Sequence, residues 1–350
     1  MENQFGPHEL SACEKEELKP SMEKIFDHFY MITLPMPFRL KHVHVFAMIH
    51  EDGVALFDTG VNSPETFLKL ENSLKQIGRT IGDIDRIYIS HFHTDHCGIA
   101  GRIKEISGAV IYMSDIDGQR IENDQKKGLD IHQLKKFYRQ HGLNKKSIDA
   151  LVNLLNFFRS ATIPFQVDQG LEAYGCQTVG DKEFQVIPAP GHTRGQVCFF
   201  FRKEGILLSG DHVLPQITPN LSPDPYCPTF RPLHSFIESL QEMKNLSVRR
   251  IYPAHGDPFV DLKGRIEEIK EHHSERKCLI FNSVEGGAKT AYQVSQDIFG
   301  KNLPEFDQFL AVNETYSHLM ELQEEGVVSQ EQTEHFLVYR TVRTRHRGER

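Results

Sequence analysis

The stretch Ser90-His91-Phe92-His93-Thr94-Asp95-His96-Cys97-Gly98 places three histidines and an aspartate within six consecutive positions, directly after the apolar run Arg86-Ile87-Tyr88-Ile89. Neutral imidazole nitrogens and an anionic oxygen suit zinc, iron or manganese better than calcium or magnesium. Along an extended segment His91 and His93 share one side while Asp95 and His96 point elsewhere, so a set this dense suggests two metal sites. Three later pieces each put one ligand type at the end of a strand-like run. They are Pro190-Gly191-His192-Thr193, Leu207-Leu208-Ser209-Gly210-Asp211 and Tyr252-Pro253-Ala254-His255-Gly256.

In this order the pieces resemble the HxHxDH, His, Asp and His motifs of the metallo-β-lactamase superfamily, over roughly residues 30 to 260. The resemblance implies that His91, His93 and His192 bind one divalent ion and that Asp95, His96 and His255 bind a second. Asp211 would bridge them, and Asp95 and Asp211 would count as catalytic as well as ligating. Zinc is the expected ion, with iron or manganese as alternatives. Leu56-Phe57-Asp58-Thr59-Gly60 also matches the family, where the aspartate orients ligands by hydrogen bonding without touching metal. The same orienting role is expected of His212. Two ions about 3.5 to 4 Å apart bring the pKa of a shared water towards about 7, so a hydroxide nucleophile forms without a serine or cysteine. Gly191-His192-Thr193-Arg194-Gly195-Gln196 resembles the GHTxGH of the thioester-hydrolase branch, but Gln196 replaces the last histidine and weakens a glyoxalase assignment.

The surrounding elements are predicted from period and punctuation. Alternation favours strands over 29–34, 42–49 and 54–58, with His42, His44 and His50 as polar strand positions, and Ala109 to Met113 as a further strand. Apolar spacing from Pro64 to Ile77, a Ser63 cap and a Gly78 stop predict a covering helix. The fold implied is α+β, a four-layer αββα sandwich with a helical insertion at about 115–165. Phe137, Tyr138, Phe157 and Phe158 of that insertion are candidate walls of a substrate cleft. A proline-stiffened loop from His212 to Arg231 leaves directly from Asp211, and its Tyr226 and Arg231 are candidate substrate contacts.

Residues 1–20 read as a loosely held arm, 21–262 as the catalytic domain and 263–350 as a winged-helix-like module. That module has helices at 264–281, 290–299 and 305–324, a hairpin across Gln330-Glu331-Gln332 and a basic tail through Arg340, Arg343, Arg345 and Arg347. It is expected to pack separately. A formal charge of −8 argues against a protein built to grip nucleic acid. Six cysteines without CxxC spacing indicate neither a zinc ribbon nor a redox pair, and an opening Met-Glu-Asn-Gln-Phe without a basic-then-apolar leader points to the cytoplasm. The partner expected is a small-molecule ester or thioester, or a lactone, with a homodimer compatible with the insertion and no membrane span. The competing expectation is a phosphodiesterase or endoribonuclease using the same metals, with nucleic acid as partner.

Overall fold

The computed structural model describes residues 21–224 and 226–342. The arm over 1–20 and the tail beyond Val342 lie outside the described residues. Among the described residues, β1 (Met22–Phe26), β2 (Phe29–Pro35), β3 (His42–Ile49), β4 (Val54–Phe57), β5 (Ile84–Tyr88), β6 (Val110–Met113) and β7 (Gln169–Gly170) make one sheet in chain order. It is antiparallel as far as β4 and parallel from β4 to β7. A second sheet runs in the order β12-β11-β10-β9-β8, built from β8 (Cys176–Val179), β9 (Lys182–Pro188), β10 (Val197–Phe201), β11 (Ile206–Gly210) and β12 (Arg250–Pro253).

Side-chain alternation stacks these sheets face to face. Phe29 and Met31 of β2 and Phe46 and Met48 of β3 join Phe184, Phe199, Phe201 and Leu208 of the second sheet in one apolar cluster. The intervening residues Ile32, Leu34, Val45 and Ala47 point to the opposite side. There they meet Leu70 and Leu74 of α1 (Pro64–Gln76), and Ala100 and Ile103 of α3 (Ala100–Ser107), which follows the short α2 (Thr94–Cys97). Ser63 caps α1 by accepting from Thr66 N at 3.1 Å. On the outer face of the second sheet, Phe200, Leu207 and Ile251 pack on Phe236 and Leu240 of α7 (Pro232–Met243) and Ile266 and Ile269 of α8 (Leu262–Glu285). Four layers follow, helix, sheet, sheet and helix. Each large apolar side chain taken from water contributes about 1.5 to 3 kcal/mol to holding them together.

The insertion consists of α4 (Asp115–Lys127), α5 (Ile131–Gln140) and α6 (Lys145–Ser160). The C-terminal region adds α9 (Ala291–Phe299), α10 (Glu305–Glu324), β13 (Val328–Gln332) and β14 (Leu337–Thr341). These two regions are not independent. Leu134, Tyr138, Leu151 and Val152 share one cluster with Ile280, Val294, Val312, Leu319 and Tyr339, so the expected separate packing of 263–350 is corrected to a common core. The apolar stripe of α5 and α6 therefore finds its cover in the C-terminal helices. The hairpin turn lies after Gln332 rather than across Gln330-Glu331-Gln332, because Gln332 pairs with Leu337. Among the described residues no helix is long and apolar enough to cross a membrane.

Candidate metal centre

Two turns and two strand ends carry the candidate ligand residues. β5 ends into Ser90 and the 91–96 turn, the 190–196 turn joins β9 to β10, and β11 and β12 end just before Asp211 and His255. The first turn is drawn tight against 58–62 by Gly98, where a Cβ would stand 2.7 Å from Asn62 N and 2.8 Å from Gly60 O. Asp58 itself has φ +57°, a left-handed conformation that aspartate tolerates better than most residues. That backbone aims its carboxylate back at the turn. Oδ1 accepts from Ser90 N and Oδ2 from Ser90 Oγ, both at 2.7 Å, and Oδ2 lies 2.8 Å from His96 Nδ1.

The side chains form three sets whose ligand atoms converge: His91 with His93 and His192, His91 with His96 and Asp211, and Asp95 with His96 and His255. Asp211 stands between them. Its Oδ1 is 3.3 Å from His255 Nε2 and 3.4 Å from His96 Nε2, while its Oδ2 is 3.4 Å from His192 Nε2. Among the described residues, His96 Nε2, His192 Nε2, His255 Nε2 and Asp211 Oδ1 are buried and find no hydrogen-bond partner. Buried polar atoms left unpaired are costly, and here they converge on one another as the donors of a metal site do. The far ring nitrogens are held instead: His192 Nδ1 donates to Asn220 O and His255 Nδ1 to His42 O, each at 2.8 Å. That leaves Nε2 as the nitrogen facing inward, with a lone pair to offer once the ring is neutral.

Charge divides the centre. Burial holds His91 well below the ordinary histidine range and His93 at about 3, with neighbouring histidines adding repulsion, so these two are neutral donors. Burial also opposes charge on His96 and His255, yet it is outweighed by Asp211 and Asp95, joined by Asp58 at His96. His96 rises well above the usual range and His255 to about 10. The pocket thus calls for positive charge, and its nitrogen and oxygen donors fit divalent zinc, iron or manganese.

Other residues singled out from the sequence fall in different places. Tyr138 is buried with its hydroxyl donating to Asn313 Oδ1 at 3.0 Å, and Phe137 meets His141 tilted at 4.5 Å and Tyr316 edge to face at 5.5 Å. Both rings are corrected from cleft walls to helix-packing residues. Phe158 meets Phe38 edge to face at 5.4 Å, and Phe157 is exposed. The end of α6 reaches the metal turn, because Thr162 Oγ1 donates to Thr94 Oγ1 at 2.9 Å. Arg231 is paired with Glu321 and Glu324 of α10, and the Tyr226 hydroxyl accepts from Asp130 N, so both side chains tie the loop to neighbouring helices. His212 packs on Phe236, with Nε2 3.1 Å from Ser239 Oγ, which sets its ring against α7.

Two residues not anticipated act on the ligand turns. Asp117 of α4, buried, accepts from Phe92 N at 3.2 Å, Thr193 Oγ1 at 2.7 Å and Gly195 N at 2.8 Å, joining the 91–96 turn to the 190–196 turn. Burial outweighs these donors and raises its carboxyl to about 6. Gln196, with its amide oxygen turned towards the end of β11, accepts from Asp211 N at 3.2 Å and His212 N at 2.9 Å. Its departure from the GHTxGH pattern therefore leaves a group that fixes the backbone of Asp211. A further cluster at the α8–α10 contact, His272, His273 and Glu314, is packed on His318, whose Nδ1 donates to Glu314 O at 2.8 Å and whose Nε2 lies 3.2 Å from His273 Nδ1.

Residues 39–255 match the metallo-beta-lactamase superfamily model. A probable metallo-hydrolase of Bacillus subtilis is 24% identical over 309 residues, covering 85% of this chain and 93% of that one. An atrochrysone carboxyl ACP thioesterase of Cryptosporiopsis is 30% identical over 118 residues, 33% of this chain and 34% of that one. A metallo-beta-lactamase family protein of Thermus thermophilus superposes with a TM-score of 0.81 at 26% identity, over 91% of this chain and all of that one. Since the matched span contains the whole set from His91 to His255, the chain belongs to the metallo-β-lactamase superfamily and is a metal-dependent hydrolase.

Proposed function

We propose that the centre is dinuclear and hydrolyses a small ester, thioester or lactone. The observation that carries this reading is the attitude of Asp211, which turns one carboxylate oxygen towards His96 and His255 and the other towards His192. His91, His93 and His192 would hold one ion, Asp95, His96 and His255 the other, and Asp211 both, with zinc first and iron or manganese next. Ions so held act as Lewis acids and bring the pKa of water to about 7. Asp58, Asn220 O and His42 O keep the imidazoles aimed, and Asp117 holds the two ligand turns in register. Cys97 serves no nucleophilic role, since its buried thiol donates to Phe92 O at 3.2 Å and burial pushes its pKa well up.

Support for an acyl substrate comes from the apolar rings Phe38 and Phe158 beside the α6 end that contacts Thr94, and from the relative named a thioesterase. The formal charge of −8 disfavours a polyanionic strand. The test is purified, metal-supplemented protein assayed against esters, thioesters, lactones and phosphodiesters. Hydrolysis of small acyl compounds, with Phe158→Ala changing KM or chain-length preference, is the expected result. Faster cleavage of RNA than of every acyl compound would overturn it.

A further inference from the structure

His192 is braced from a different part of the chain than His91, His96 and His255, and His91 Nδ1 lies 3.0 Å from Ser90 Oγ. His96 leans on Asp58, at the end of β4, and His255 leans on His42 O, at the start of β3. Both braces belong to the sandwich. His192 leans instead on Asn220 O, in the irregular 212–231 loop, whose described residues join no strand ladder. Arg265 of α8 holds the first half of that loop, donating to Leu214 O at 2.8 Å and Ile217 O at 2.9 Å, and α10 holds the stretch around Asn220. Ser317 Oγ donates to Leu221 O at 2.7 Å, and Asn313 Nδ2 donates to Ser222 Oγ at 2.9 Å. Ser222 Oγ in turn accepts from Asn220 Nδ2 at 2.6 Å.

Asn313, Ser317 and Glu321 are spaced four apart, so they form one stripe along the helix. Asn313 and Ser317 are buried, and a polar group buried on a helix face is costly unless it is paired. Tyr138 of α5 pairs with Asn313 Oδ1, and loop atoms supply the rest: Leu221 O, Ser222 Oγ and, for Glu321, Arg231 Nε at 3.3 Å. The stripe is therefore a seat built for this loop, and the loop carries the carbonyl that orients His192. On its other side the same turn is held by Asp117 of α4 through Thr193 and Gly195.

We propose that Asn313 and Ser317 are positioning residues for the ligand His192, so that the C-terminal helix sets affinity for one ion of the pair and leaves the other to the sandwich. The proposal rests on the dinuclear reading above. Coupling runs through two hydrogen-bonded steps, from α10 to the 220–222 backbone and from there to the imidazole. Removing the hydroxyl of Ser317 frees the loop and lets the ring of His192 turn from its inward aim, whereas His96 and His255 keep their own partners.

The test uses the full chain and chelator competition with zinc, with the absorption spectrum of the cobalt-substituted protein as a second readout. His192→Ala identifies which ion belongs to that ligand. Ser317→Ala, and Ser317→Ala with Asn313→Ala, should weaken that same ion about 10- to 100-fold and change its cobalt spectrum, leaving the other ion at wild-type affinity. Ser317→Thr, which keeps a hydroxyl, should restore it. Wild-type affinity for both ions in the double variant, equal weakening of both, or failure of the threonine to restore binding would overturn the proposal. A wild-type chain that holds a single ion after supplementation overturns the dinuclear reading instead. The positioning role is then judged on that ion, and unchanged binding in Ser317→Ala rejects it.

Discussion

Asp58 Oδ2 stands 2.8 Å from His96 Nδ1 across a sequence separation of 38 residues, while the same carboxylate takes both the backbone and the side-chain donors of Ser90. One side chain thus fixes the start of the ligand turn and the ring orientation near its end. Asp58→Ala is expected to lower affinity for the ion of the Asp95, His96 and His255 group by about 10- to 100-fold, the usual cost of removing such a partner. Chelator competition measures it, and unchanged affinity for both ions would remove Asp58 from this role.

Asp211→Ala should abolish hydrolysis and lower bound metal, because its two oxygens face His192 on one side and His96 and His255 on the other. Elemental analysis of the purified variant reads the second effect. Two equivalents of metal together with full activity would contradict the shared position.

Deleting residues from 263 onward should give an insoluble or molten chain, since Leu134, Tyr138, Leu151 and Val152 would lose the partners that cover them. Solubility and near-UV circular dichroism of the truncated chain decide this. A soluble, metal-loaded fragment with native spectra would restore the idea of an independent module.

Acid should weaken the shared helical core. Burial lowers His141 from the ordinary 6.5 to about 3 in the folded chain, so below about pH 6.5 the unfolded chain takes up a proton that the folded one refuses. Stability contributed by neutral His141 is full above pH 6.5 and falls as pH drops towards 3, by about 1.4 kcal/mol per unit at most. Urea unfolding of metal-free protein at pH 7.5 and 5.5 should show a smaller loss in His141→Gln than in wild type. An identical loss in both would refute the assignment.

The clustering of the candidate ligands was legible because their motifs are local, each a few residues long at the end of an apolar strand. β2, β3 and α1 were legible for a similar reason, through period 2, helical spacing and the Ser63 cap. Asp117 was not, because it sits in a helix rich in charged residues and its partners Thr193 and Gly195 lie 76 and 78 positions away. Nor were Asn313 and Ser317, whose partners are 91 and 96 positions away. Phe137 and Tyr138 show a complementary failure. Helical spacing announces that a face must be covered, but the covering surface, here α10 and β14, is specified by residues far down the chain.

The cluster that joins α5 and α6 to α8–α10 and the hairpin also fixes an order of events during synthesis. A ribosome releases the chain from its N-terminus, and structural units tend to form as they emerge. All seven candidate ligands, from His91 to His255, are out of the tunnel before α9 and α10 have been made. The sandwich is thus able to close over its ligands while Leu134, Tyr138 and Leu151 of the insertion still face solvent. For that interval the nascent chain displays a sticky apolar surface. Slow decoding of codons 290–340 would lengthen the exposure, and chaperone occupancy on stalled chains should persist until α10 and β14 have themselves left the tunnel.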